Sequence, residues 1–336
     1  MAFWIWGVGP YLALITSVLV PLRILVHYWR RTGSIALPLA ESEAKDRAEG
    51  QPALRAHVRR GRAASIVSGV AAGLSTMGVW LPNRTSDNWD SFLVPIVVVS
   101  VCTVVLVATP TKLHRTQPGL VHPIDLTPRS VWSFGRPWWF GSWALGAALL
   151  IATVILAGLA SSADTEGRFA VLSVAVGNAA ASTTFLGWYF GIPILIALSV
   201  LTAITLVAIW AIARPAMAWS IDGRAIDVWI RRLRTRTVLS LSGGAVVLTL
   251  AWSLLCIGSG AAMRLEIPGG NLGSIAVGTP LAALVVPLNI AGLILQGLGL
   301  ALLVLPLFTR APRTAARQER GSSGGATDVP VAASSV

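Results

Sequence analysis

The chain has 336 residues and a net charge of +12, and 54% of its residues are hydrophobic while only 12% are charged. A soluble domain carries about a quarter charged residues, so this composition excludes a single water-soluble globule and predicts an integral membrane protein. The basic residues stand in short clusters between apolar segments, which excludes a nucleic-acid-binding surface. All but two of them are arginine, a bias typical of GC-rich bacterial genomes. We therefore expect a multi-pass protein of a bacterial plasma membrane.

Seven apolar segments reach the length of about 20 residues that a helix needs to cross a bilayer. The first segment is too long for the core of a signal peptide and is interpreted as an uncleaved helix. The sequence thus predicts an all-α polytopic bundle, a lead helix followed by three helical hairpins, within residues 1–310, and a disordered cytoplasmic tail at 311–336. The predicted spans are 5–28, 63–82, 92–110, 139–160, 187–213, 238–258 and 281–308.

The basic residues assign an orientation to these spans. With the N-terminus outside, the inner segments hold 22 of the 26 Lys and Arg residues, whereas the outer segments hold only Arg84, Arg168 and Arg264. Cytoplasmic loops of membrane proteins carry an excess of Lys and Arg, so the sequence predicts an N-out, C-in topology. The inner segments are 29–62, 111–138, 214–237 and 309–336.

The second span contains small residues at a regular spacing. Ser65, Gly69 and Gly73 recur at every fourth position of the stretch SIVSGVAAGLSTMG. Small residues at this spacing let two helix backbones approach closely. This face is predicted to pack either on a helix of the same chain or on a second copy, and the six other predicted helices favour the same chain.

Three spans that enter from the outside begin with similar stretches. Their prolines lie 98 and 94 residues apart. The similarity indicates either a duplicated helical hairpin, as in many transporters, or the ordinary preference of proline for helix starts. The stretches are VPIVV at 94–98, IPILI at 192–196 and VPLNI at 286–290.

Two outer segments are longer than simple turns. Residues 163–182 contain an apolar run that is too short to cross the membrane, which predicts a re-entrant or interfacial segment. Residues 264–280 are rich in Gly and Pro. The two segments either cap the outer mouth of the bundle or form loosely packed connections.

The inner segment IDGRAIDVWIRRLRTR at 221–236 combines an apolar stripe with clustered arginines. This pattern predicts a short basic amphipathic helix on the inner leaflet. Such a helix either docks a cytoplasmic partner or only anchors the orientation of the chain. The candidate docking residues are Ile226, Ile230, Arg231, Arg232, Leu233, Arg234 and Arg236.

The last span carries two amides, Asn289 and Gln296, with Gly292 between them on the same helix face. An unpaired amide in lipid costs on the order of several kcal/mol, so this face is predicted to point into the bundle. There it either lines a polar path or hydrogen-bonds a neighbouring helix. The second interpretation is favoured, because no ionisable residue accompanies the amides.

No motif for catalysis, cofactor binding or metal binding stands out. The sequence has no Gly-x-Ser-x-Gly elbow, HExxH pair, P-loop or Rossmann fingerprint, and its two Cys and four His residues are scattered. No Asp or Glu lies at the middle of a predicted span, which counts against proton-coupled transport. We expect no catalytic residue, cofactor or metal, and the balance is against an enzyme.

Two stretches of the sequence resemble a group of bacterial membrane proteins. The stretch LGWYFGIPILIALSVLTAITLVAIWAIARP at 186–215, with IDLTPRSVWSFGRPWW at 124–139 before it, resembles uncharacterised polytopic integral membrane proteins of actinobacteria. In those proteins a Pro-Arg-containing inner loop precedes a hairpin whose second helix begins with a similar aromatic-Pro pattern. The resemblance covers the middle third to half of the chain and implies no activity.

Together these features predict a non-enzymatic, permease-like or transport-accessory component. One alternative is a membrane-embedded sensor or scaffold that transports nothing. A lipid-modifying enzyme is a weaker alternative, because general acids and bases are scarce. The expected partners are membrane lipids and another membrane or cytoplasmic transport subunit, and nucleic acid is not expected.

The predicted orientation is testable with reporter fusions. Green fluorescent protein fused after Val336 should fluoresce, and alkaline phosphatase at the same position should be inactive, because 22 basic residues hold the inner segments in the cytoplasm. Insertion of the same reporters within 163–182 is the control and should give the opposite pattern. Active phosphatase after Val336 would contradict the C-in assignment.

Overall fold

The computed structural model describes Arg23, His27, Arg59 and residues 63–74, 90–108, 134–176, 179–214, 221–268 and 274–308. Within these ranges the chain is mostly helical, with two small antiparallel sheets. The six helices of the described part are α1 (Ala63–Leu74), α2 (Asp90–Ala108), α3 (Pro137–Ala160), α4 (Trp188–Ala213), α5 (Ile221–Ala261) and α6 (Val285–Val304).

Four of these helices are long and apolar enough to cross a membrane. They are α3, α4, the Asp227–Ala261 part of α5, and Ala282–Phe308, which is α6 with a 3-10 turn at each end. Of the predicted lead helix 5–28, the structure describes only Arg23 and His27, which are helical and exposed. The count of seven spans and the topology therefore stay predictions, and the tail 311–336 lies outside the described residues.

Two small sheets distinguish the fold from the predicted all-α bundle. Strands β1 (Ser162–Ala163), β2 (Phe169–Val176) and β3 (Ala179–Thr184) form one antiparallel sheet, and β4 (Arg264–Pro268) pairs antiparallel with β5 (Ser274–Gly278). The first sheet joins α3 to α4 and the second joins α5 to α6, and β3 contacts β4. Both sheets thus lie at the same end of the bundle, which we call the sheet end.

The segment 163–182 therefore forms a sheet at the sheet end of the bundle, and its predicted interfacial position stays a prediction. Its apolar residues alternate across β2, so that Ala170 and Leu172 are buried in the core while Phe169 is half exposed. Val176 pairs with Ala179, which leaves only Gly177 and Asn178 between the strands. Two-residue connections that contain Gly and Asn are typical of β-hairpins.

The turn between β1 and β2 is closed by Asp164. Its carboxylate accepts hydrogen bonds from the backbone N–H groups of Glu166 and Arg168 at 2.8 and 2.9 Å. The side chain of Arg168 donates a further hydrogen bond to it at 2.9 Å. The hydrogen bond from the backbone of Arg168 contributes most to holding the pKa of Asp164 below its ordinary value. Gly167 has a φ of +77°, a conformation that favours glycine and completes the turn.

Helix α5 is the centre of the bundle. It packs against α2, α3, α4 and α6. In its apolar stretch 78% of the residues are buried, compared with 28% in α3 and 33% in α4. The outer helices instead direct apolar side chains away from the protein, among them Leu145, Leu156 and Val207. Such apolar outer faces suit contact with lipid or with another membrane helix.

Helices α2 and α4 lie side by side and run in the same direction. The rings of Phe92 and Phe190 are 5.9 Å apart near the helix starts, and Leu106 shares a buried cluster with Ile209 near the helix ends. Two of the three similar proline-containing stretches therefore occupy matching positions in parallel helices. The helix–sheet–helix order is also common to α3–α4 and α5–α6. Every second helix of a chain whose spans alternate in direction is parallel, so a duplicated hairpin and the ordinary preference of proline for helix starts both stay open.

Glycine residues bring α5 and α6 close together. A methyl group placed on Gly299 would lie 2.7 Å from Cγ of Leu248 and 3.1 Å from the carbonyl oxygen of Gly244. The hydroxyl of Ser240 donates a hydrogen bond of 2.9 Å to the carbonyl oxygen of Leu302, which links the same two helices. We call this contact the α5–α6 seam; it is the close backbone approach that small residues permit in membranes.

The variant Gly299→Ala tests the α5–α6 seam. The new methyl group would overlap α5, and overpacking of this kind costs about 1–3 kcal/mol. The higher helix propensity of alanine stabilises the helix by at most about 1 kcal/mol, which does not offset this cost. The variant should therefore unfold more easily in SDS mixed micelles. Gly141→Ala is the control, because a methyl group there meets no atom within 4 Å. Equal stability of the two variants would contradict a tight seam.

Candidate functional site

The polar face of α6 points into the bundle, as the sequence predicts. Gln296 is buried, with 2% of its surface exposed. A methyl group on Gly292 would lie 3.1 Å from the carbonyl oxygen of Ala251 in α5, and one on Gly258 of α5 would lie 2.7 Å from Oδ1 of Asn289. The face formed by Asn289, Gly292 and Gln296 is therefore packed directly against α5.

This packing bears on the two roles considered for the amides. At the level of Gly292 the two helices are too close to leave room for a solute between them. A polar path along this face would need α6 to move away from α5. The arrangement thus favours a structural role for the face, although small residues alone would have permitted either one.

The basic segment 221–236 is not the separate short helix that the sequence predicts. It forms the first turns of α5, which continues without a break to Ala261. The physical reason is that its apolar stripe runs on into the span: Ile230 and Leu233 are buried, and so is Leu241 two turns later. The segment therefore enters the bundle instead of lying along the leaflet.

Burial changes the interpretation of the candidate docking residues. Buried side chains present no surface to a partner unless the helix moves. Arg232 and Arg236 are partly exposed, so docking through these two stays a prediction, and the side chain of Ile226 lies outside the described residues. The buried candidates are Ile230, Arg231, Leu233 and Arg234.

Arg231 fastens the start of α5 to the end of α4. Its guanidinium contacts Oδ2 of Asp227 at 2.9 Å and donates to the carbonyl oxygens of Ile212 and Ala213 at 3.0 and 3.1 Å. The last carbonyls of a helix lack partners within the helix and carry the negative end of its dipole, so a cation suits them. The ring of Phe134, 5.7 Å from the guanidinium carbon, lies on the same group.

Asp227 is a further site residue, which is not among the residues predicted from the sequence. It is buried together with Arg231, so neither charge is solvated by water and each requires the other. The spacing of four residues between them is the usual spacing of ion pairs along a helix, and this spacing was the available signal. The ion pairs of Arg168 with Asp164 and Glu166 are exposed to water, whereas this pair is buried.

The start of α3 packs on the same turns of α5. The guanidinium of Arg236 lies 5.7 Å from the ring centre of Trp139, a distance at which cation and aromatic ring attract. A methyl group on Gly135 would lie 3.5 Å from Thr235. The end of α4, the start of α3 and the start of α5 therefore meet at the bundle end opposite to the sheets.

The small residues of α1 face the last part of α6. Ser65 is fully buried. A methyl group on Gly69 would lie 3.2 Å from the carbonyl oxygen of Leu303, and one on Gly73 would lie 3.9 Å from Val304. The structure thus brings this face into contact with a helix of the same chain, the favoured of the two interpretations.

Chemistry-bearing groups are otherwise sparse. The described residues contain no group of three or more His, Cys, Asp or Glu side chains placed to hold a metal ion. Cys102 and Cys256 are free thiols within α2 and α5. No protein-family model, curated protein or solved structure matches the chain.

The variant Asp227→Asn tests the ion pair. It should destabilise the folded chain by about 3–5 kcal/mol, because a buried arginine loses its counter-charge. The double variant Asp227→Asn/Arg231→Met should lose less than the sum of the two single variants in SDS unfolding. Asp164→Asn at the exposed turn is the control and should change stability far less, since water screens that pair. Additive effects of the two buried substitutions would contradict the pairing.

Proposed function

We propose that this protein is a non-enzymatic accessory or scaffold component of a bacterial plasma membrane. It works by holding other membrane components in place and not by passing a solute along the polar face of α6. The observation that carries this proposal is the packing of that face: Gly292 lies against the backbone of α5, and Asn289 lies against Gly258.

A fixed central helix supports the proposal. Arg231 hydrogen-bonds the start of α5 to the end of α4, and Ser240 hydrogen-bonds the middle of α5 to α6. At the sheet end, the hydroxyl of Thr279 donates a hydrogen bond of 2.6 Å to the carbonyl oxygen of Ala261, the last residue of α5. Hydrogen bonds thus join α5 to its neighbours along its length, which suits a rigid support.

The outward faces of α3 and α4 supply the surface for other components. Leu145, Leu149 and Leu156 share one face of α3 and are exposed by 61%, 49% and 67%. In a bilayer this face contacts either lipid tails or the apolar face of another helix. An accessory subunit would use such a face to contact the membrane subunit that it supports.

Extraction of native membrane patches tests the accessory role. When the chain is isolated with a styrene–maleic acid copolymer, another membrane subunit should accompany it at a fixed ratio in independent preparations. A photo-reactive residue at Leu145 or Leu156 should cross-link to that subunit, and one at the buried Leu150 should not. Patches that contain only this chain and lipid would contradict the proposal.

A permease-like component is the second candidate. The burial of Gln296 in the middle of α6 favours it, because polar side chains within membrane spans often mark solute pathways. A conformation in which α6 separates from α5 would expose this amide to a solute. This candidate differs from the first in a measurable way, since it requires flux through the purified chain.

Vesicle swelling separates the two candidates. Under the accessory proposal, vesicles containing the purified protein should swell in glycerol or urea no faster than protein-free vesicles. Under the permease candidate they should swell faster, and Gln296→Leu should abolish the increase. Ile294→Leu is the control, because Ile294 is 57% exposed on the same helix and should leave the rate unchanged. Fast swelling that depends on Gln296 would overturn the accessory proposal.

A further inference from the structure

Three side chains on three helices each have a buried polar atom without a hydrogen-bond partner. These atoms are Oγ1 of Thr103 in α2, Nε1 of Trp143 in α3 and Oγ1 of Thr205 in α4. Thr103 and Thr205 are 0% and 2% exposed. Other hydroxyls of the spans behave differently and donate to the carbonyl oxygen four residues earlier, as Ser100, Thr202 and Ser242 do.

The three side chains lie at one level of the bundle. One apolar cluster contains residues from all three helices. In each helix, a residue of this cluster lies three or four positions, about one helical turn, from the polar side chain. Helices α2 and α4 run opposite to α3, so in all three helices this turn leads from the cluster towards the sheet end. The relevant cluster residues are Leu106 of α2, Trp139 of α3, Ala208 and Ile209 of α4, and Val238 and Leu239 of α5.

Helix α5 borders the same level with small residues. Gly243 lies beside the indole of Trp143, and a methyl group placed on it would be 3.8 Å from Cδ1, the ring carbon next to Nε1. Ser242 is buried, and its hydroxyl donates to Val238. The oxygen of Ser242 can still accept a hydrogen bond. Because position 243 has no side chain, a space that would fit a methyl group lies beside Cδ1 of this indole.

We propose that Thr103, Trp143, Thr205 and Ser242 form a buried site for water between α2, α3, α4 and α5. The two threonine hydroxyls both donate and accept, the indole only donates, and the serine oxygen accepts. Water suits this neutral and mixed set, because it also donates and accepts and makes two to four hydrogen bonds when buried. This proposal does not depend on whether the protein supports other subunits or passes a solute.

A bound water would determine the sign of the stability change when either threonine is replaced by valine. A buried hydroxyl that bonds to water loses that bond when threonine becomes the nearly isosteric valine, and the water loses a partner. A buried hydroxyl without any partner is instead unfavourable, so its removal is neutral or stabilising. The direction of the stability change therefore distinguishes a hydrated level from a dry one.

Valine substitutions measure this direction. Thr103→Val and Thr205→Val should each lower the midpoint of SDS unfolding, and the double variant should lose less than the sum, because both hydroxyls share the same water. Thr103→Ser and Thr205→Ser retain the hydroxyl and should recover most of the loss. Valine variants that are as stable as the parent, or more stable, would overturn the proposal.

A second measurement reports the water directly. In the protein labelled with 15N-tryptophan, the indole N–H of Trp143 should show magnetisation transfer from water in a nuclear magnetic resonance spectrum, and the transfer should weaken in the Thr103→Val/Thr205→Val variant. The Trp138 indole, on a half-exposed side chain, is the control and should be unaffected by the two substitutions. An indole of Trp143 without any transfer from water would also overturn the proposal.

Discussion

Hydrocarbon offers no hydrogen bonds, so every polar group inside this bundle must find its partner within the protein or in trapped water. This constraint explains the main contacts of the structure. Arg231 satisfies the last carbonyls of α4, Ser240 donates across helices to the carbonyl oxygen of Leu302, and Thr279, just after β5, donates to the last carbonyl of α5. The two amides of α6 obey the same constraint, because they turn away from lipid and towards α5.

The constraint also accounts for the central position of α5. This helix carries most of the polar side chains of the described spans, including Asp227, Arg231, Arg234 and Ser253. A helix with this composition is costly at a lipid-facing position, whereas α3 and α4 are apolar nearly throughout and tolerate exposure. The order of the helices in space thus follows from how polar each one is.

Much of this arrangement was predictable from the sequence. Uninterrupted apolar runs identified α3 and α4 to within two residues, since crossing a bilayer needs a fixed length of apolar helix. The length of α5 was not predictable from hydropathy, because its first turns, residues 221–236, carry five arginines. The length of the apolar run at 163–182 does not distinguish a strand from an interfacial segment, although Gly177 and Asn178 supply a hairpin signal. Burial of Arg231 depends on the end of α4, a contact that no local pattern encodes.

Amide hydrogen exchange along α5, measured by mass spectrometry in lipid nanodiscs, tests most directly whether its basic start is part of the buried core. Residues 227–237 should exchange nearly as slowly as residues 240–250, because their hydrogen bonds open only when the bundle opens. Exchange of 227–237 within seconds, while 240–250 stays protected, would show an independent surface helix and contradict the account.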